Sequence, residues 1–139
     1  MVRPRVRAAR ERWLGVLGFG LAILLKAAIP LSDRNRRDRG RLGPDKLLHC
    51  LTHAGFTMAL LDALTTRGQS APGQSDAVLA GAAVALSITY GVGIEYLQER
   101  VPGREFEFDD IVADAVGSVL GVFLWQYITR DPPDSTNTG

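Results

Sequence analysis

AVLAGAAVALSITYGVGIEYL, residues 77–97, carries no charged side chain until Glu95, near its end. A helix at the surface of a soluble protein shows a polar stripe along the side that faces water. No such charged stripe runs down this segment before its final turn, and a helix of about 20 apolar residues crosses the hydrocarbon core of a bilayer. The same reading extends outward in both directions. Trp13 to Leu31 holds a single charge, Lys26; Leu47 to Leu64 holds Asp62 and two histidines; Ile111 to Ile128 holds only Asp114. Hydrophobic residues make up 46% of the 139 and charged residues 22%, which alone would suit a soluble protein. Their distribution points to an all-α polytopic membrane protein, a four-helix transmembrane bundle that passes through the cell membrane several times. A soluble four-helix bundle is the weaker alternative.

One domain is expected: a basic N-terminal segment over 1–12, a four-span membrane domain over 13–128, and a polar, disordered tail over 129–139. The net charge is +1, yet arginine is concentrated in two clusters, Arg3 to Arg12 and Arg34 to Arg41. Beside apolar spans such clusters meet anionic headgroups, so membrane lipids are expected partners and nucleic acid is not. Lys26 and Pro30 interrupt the region where a signal-peptide cleavage site would fall, which predicts an uncleaved first helix. Lysine and arginine divide almost evenly between the two sets of loops, so charge asymmetry assigns no side. Cys50 is alone and forms no internal disulfide.

Four spans place the first and third loops on one side, and that side gathers the unusual residues. Asp45, Lys46 and His49 open the second helix, Glu95 and Gln98 close the third, and Asp110 and Asp114 begin the fourth. Lys26 faces the same way, while Asp62 sits near the opposite end and is expected to snorkel or cap there. Glu95 and Gln98 share a helical face, as do Asp110 and Asp114. Gly117 and Gly121 continue below Asp114 as a GxxxG, which favours close packing of another helix. Arg104, in the turn between, suits either a clamp on Glu95 or Asp110 or a grip on an anionic headgroup. Glu105, Glu107 and Asp109 read as solvated loop charges.

His49 and His53, four apart, together with Glu95 and Asp114 have the residue types of a metal site. No HExxH or comparable motif supports one, so neither metal nor cofactor is expected. The preferred reading has His49 bonded to a carboxylate and His53 packed in the bundle. No serine or cysteine nucleophile with an adjacent base is apparent, Cys50 receives no role, and catalytic residues are not assigned. Tyr90, Tyr96, Trp125 and Tyr127 read as interfacial or packing aromatics.

Asp45-Lys46-x-x-His49, Glu95-x-x-Gln98, Pro102-Gly103-Arg104 and Asp110-x-x-x-Asp114-x-x-Gly117-x-x-x-Gly121 together resemble the VanZ-like family, over about residues 42–125. The resemblance implies a small integral membrane protein of several spans with this constellation as its signature. The family takes its name from a teicoplanin-resistance protein. Asp114 departs from the family's usual Asn, exchanging an amide that donates and accepts for a carboxylate that, when ionised, only accepts.

The function expected is therefore binding of an anionic, lipid-linked or glycopeptide-like ligand at one membrane face, in glycopeptide resistance or envelope-lipid handling. Arg104 and Lys46 would hold the anionic group, with Asp45, His49, Glu95, Gln98, Asp110 and Asp114 completing the site. An intramembrane hydrolase or transferase with Glu95 and His49 as acid and base is one alternative. A structural ion-pair network that supports partner binding is the other.

Overall fold

The structure is a computed structural model that describes residues 4–28, 43–65, 76–102 and 105–129, with side chains from residue 10 onward. Arg3, the side chains of Arg5 and Arg7, the second arginine cluster, the hinge over 66–75, Gly103, Arg104 and the tail beyond residue 129 lie outside that description. Four helices follow in order: α1 (Pro4–Ala28), α2 (Pro44–Thr65), α3 (Asp76–Gln98) and α4 (Phe108–Thr129). No strand occurs among the described residues. α1 begins at Pro4, within the basic segment over 1–12.

Helix ends follow local chemistry. Pro44 occupies the first helical position of α2, where its missing N–H costs nothing, and the Gly43 carbonyl accepts from the Lys46 and Leu47 amides. Asp45, Asp76, Asp109 and Asp110 lie in the first turns of their helices, where the positive end of the helix dipole favours them. After α3, the Val101 amide reaches back to the Gln98 carbonyl at 2.9 Å, and Pro102 prevents further helix.

Helices α2, α3 and α4 are each long and apolar enough to cross a membrane. α1 has the length but carries Arg10, Glu11, Arg12 and Lys26. Two of these charges meet partners on antiparallel α2. Arg12 Nη1 lies 3.4 Å from Asp62 Oδ1 at one end, and Lys26 Nζ lies 3.4 Å from Asp45 Oδ1 at the other. Asp62, half-exposed near the end of α2, pairs there with Arg12 of α1.

α2 touches all three other helices and packs most extensively on α4. The contact needs glycine. A Cβ built on Gly117 would collide with the backbone carbonyl of Cys50, and one on Gly121 would stand 2.5 Å from the carbonyl oxygen of Ala54. The buried positions are mostly small or polar: Ala83, Ser87, Gly91, Glu95 and Gln98 beside Ile94 on α3, and Asp110, Asp114, Gly117, Ser118 and Gly121 on α4. Large apolar side chains such as Leu86, Val116, Leu120 and Phe123 point outward. This distribution suits a hydrocarbon surround, where large apolar side chains face lipid, a buried apolar cluster that includes Ile23, Phe56, Leu60, Leu61 and Ile94 packs inside, and backbone closeness holds α2 to α4. The chain is an all-α polytopic membrane protein.

Candidate functional site

The antiparallel succession of helices brings the polar residues of four elements to one end of the bundle. Lys46 is the hub on its outer side. Its Nζ donates to Glu107 Oε2 at 2.6 Å and to Asp110 Oδ1. Glu107 is thus no solvated loop charge. Its backbone amide also donates to Glu95 Oε2 at 3.2 Å, tying the segment before α4 to the end of α3. Glu105 and Asp109 are exposed, as their sequence reading has it.

Deeper in, His49 lies between carboxylates, with Nδ1 2.9 Å from Asp114 Oδ1 and Nε2 3.4 Å from Asp110 Oδ2. Asp114 also faces His53 Nε2 at 3.3 Å. His53 Nδ1 in turn lies 3.0 Å from Ser87 Oγ. Ser118 Oγ lies 2.8 Å from Ser87 Oγ and 2.7 Å from the Asp114 carbonyl, contacts that its one hydroxyl proton serves in turn. His53, Ser87, Glu95, Asp114 and Ser118 are at most 1% exposed. Glu95 Oε1, buried among them, has no hydrogen-bond partner. Burying polar groups at this depth is costly unless they are paired. Most of these groups are paired; among the described residues Glu95 Oε1 and His53 Nε2 are the two atoms of this set without a hydrogen bond, and His53 Nε2 faces the Asp114 carboxylate.

The sequence-derived site residues divide as follows. Asp45, Lys46, His49, Glu95, Asp110 and Asp114 converge in this cluster. Gln98 is buried at the end of α3. Gly117 and Gly121 form the α2–α4 contact that carries Asp114 to the two histidines. Arg104 lies outside the described residues; among those described, Asp110 meets Lys46 and Glu95 accepts from the Glu107 amide. Three participants escaped the sequence reading: Glu107, Ser87 and Ser118. For the serines a signal existed, since Ser87, Gly91 and Glu95 recur every four residues as a small and polar strip.

From Lys46 an open groove of about 720 Å³ runs along the outside of α2 and α4, lined by Leu47, Cys50, Asp109, Val112, Ala113 and Val116. The arrangement joins a charged end to an apolar trough at one end of the bundle.

Fold and site together define a small multi-span helical membrane protein with a buried acid–histidine–lysine cluster. The model of the VanZ/LLP1 family matches residues 17–129, most of the chain. The protein belongs to the VanZ/LLP1 family. No curated protein and no solved structure gave a significant match.

Proposed function

We propose that this VanZ-family protein resides in the cell membrane and binds one lipid-linked amphiphile of the envelope. Its anionic head lies at Lys46 and its chain in the α2–α4 groove. The observation that carries this reading is the continuity of the two surfaces: Lys46 lines the mouth of an otherwise largely apolar groove. An ammonium has three protons. Glu107 and Asp110 engage two on Lys46, leaving one for a head group. Such binding would withdraw or mask an envelope precursor and lower susceptibility to a glycopeptide such as teicoplanin.

Native mass spectrometry of the protein in mild detergent tests the binding. The wild type should carry a phosphate-bearing lipid adduct, reduced several-fold in Lys46→Gln and in Val116→Trp, which fills the groove. Asp62→Asn, at the other end, should keep it. Equal adducts in all four proteins would reject the site. Unchanged teicoplanin susceptibility on overexpression would reject the resistance role alone.

One observation favours a second reading, acid–base chemistry by His49 and Glu95. Asp114 orients the His49 ring as a carboxylate orients a catalytic base. Under that reading Glu95→Gln abolishes turnover of the bound lipid while the adduct persists.

A further inference from the structure

His49 has a carboxylate oxygen at each ring nitrogen: Asp114 Oδ1 at Nδ1, 2.9 Å away, and Asp110 Oδ2 at Nε2, 3.4 Å away. An ionised carboxylate only accepts, so Asp114 keeps the ring proton on Nδ1. The Nε2 lone pair then faces an Asp110 oxygen, and two electron-rich atoms at that distance need either a second ring proton or a metal cation between them. Asp45 reaches the same place: one ligand atom each from Asp45, His49 and Asp110 lie within 4.8 Å of one another. Independently, Glu95 is 1% exposed and its Oε1 has no hydrogen-bond partner. Its other oxygen accepts from the backbone amide of Glu107, whose carboxylate shares Lys46 with Asp110. The excess charge agrees. Among the described residues of the cluster, the carboxylates of Asp45, Glu95, Glu107, Asp110 and Asp114 outnumber the ammonium groups of Lys26 and Lys46.

We propose that Asp45, His49 and Asp110 bind one divalent transition-metal ion, with Glu95 Oε1 as a further oxygen donor and Asp114 holding the His49 ring. One imidazole nitrogen among carboxylate oxygens suits Mn²⁺ or Zn²⁺ better than Mg²⁺ or Ca²⁺. A carboxylate behind a metal-bound imidazole, as Asp114 stands behind His49, fixes the tautomer and raises ligand basicity. This set differs from the one that sequence spacing suggests. His53 is engaged with Ser87, and Asp114 faces both imidazoles from behind. A bound ion would also turn an acidic pocket toward anionic ligands, but the site does not depend on the amphiphile proposed above.

The test uses the full chain without an affinity tag, in mild detergent, stripped with chelator and titrated with Mn²⁺ alone. Electron paramagnetic resonance should count one bound ion per chain, displaceable by Zn²⁺, and pulsed spectra should show coupling to one imidazole nitrogen. Asp45→Asn and Glu95→Gln should each weaken binding by roughly 10–100-fold. His49→Gln should abolish the nitrogen coupling, and Asp62→Asn should change nothing. A wild type without a nitrogen-coupled ion would overturn the proposal and leave His49 as an imidazolium between two carboxylates. Coupling that survives in His49→Gln would overturn it equally, by pointing to His53. The wild-type spectrum decides the first point without any variant having to fold.

Discussion

Asp114 does more than any other side chain in the cluster, because both imidazoles face its carboxylate. Replacing it with Asn keeps an acceptor for His49 Nδ1, and the cost should stay under about 1 kcal/mol. Asp114→Leu leaves the buried His49 Nδ1 without its hydrogen bond, worth about 1–3 kcal/mol, and removes the carboxylate that His53 faces. Thermal unfolding in detergent should therefore rank wild type and Asp114→Asn close together and Asp114→Leu well below. Glu95 predicts the opposite sign. Its unpartnered oxygen is buried among other carboxylates. Glu95→Gln removes that charge, and the metal-free protein should gain about 1 kcal/mol or more, read as a higher unfolding temperature. A lower temperature would mean that Glu95 is held by an interaction other than those described. Sequence alone marks His49, Glu95, Asp110 and Asp114 as unusual, because a charge beside a membrane-length apolar run is conspicuous at any rotation of the helix. It does not mark Glu107, which follows a loop and looks like any solvated acid until its contact with Lys46 is seen.

Among the elements, α4 depends on two glycines. Gly117→Val would drive a side chain into the backbone of Cys50, and Gly121→Val into that of Ala54. Backbone cannot rotate aside as a side chain can, so each change should cost about 1–3 kcal/mol or push the helices apart. Gly81 and Gly93 on α3 are different, since a methyl group added at either would meet nothing within 4 Å. Gly81→Ala and Gly93→Ala should be neutral or stabilise by up to about 1 kcal/mol through helix propensity. Denaturant titrations in mixed micelles compare the two pairs, and equal effects would deny the close α2–α4 contact. The GxxxG was legible in the sequence, but its partner helix was not. The same segment could have met α3, since nothing in its spacing names the neighbour.

For the whole molecule, the polar cluster is a single end of an antiparallel bundle. Lys46 links α2 to α4 and to the segment before it, so Lys46→Met removes the ammonium that two carboxylates share and should destabilise by about 3–5 kcal/mol. Adding Asp110→Asn to Lys46→Met should recover a substantial part of that loss, and a double-mutant cycle by unfolding measures it. The topology makes a separate prediction. In a Cys50→Ser background, cysteines at Glu99 and Asp76 lie at opposite ends of α3. A membrane-impermeant thiol reagent should label them from opposite sides, and labelling of both from one side would contradict a membrane-spanning α3. The same experiment assigns the side of the cluster, which the even distribution of lysine and arginine leaves open.

The sequence by itself determined the helical spans, their order and the gathering of acids, histidines and lysines at one end. Hydrocarbon imposes a length and an apolar composition on every crossing helix, and both are properties of contiguous residues. Only the tertiary structure decided the pairings: Lys46 with Asp110 and Glu107, Asp114 behind two histidines, and Ser87 with Ser118. Each of those depends on how far each helix is rotated and how closely two backbones approach. Gly117 and Gly121 set that approach against the Cys50 and Ala54 backbone. Such a long-range contact depends on two segments at once, and the spacing along either one does not contain it.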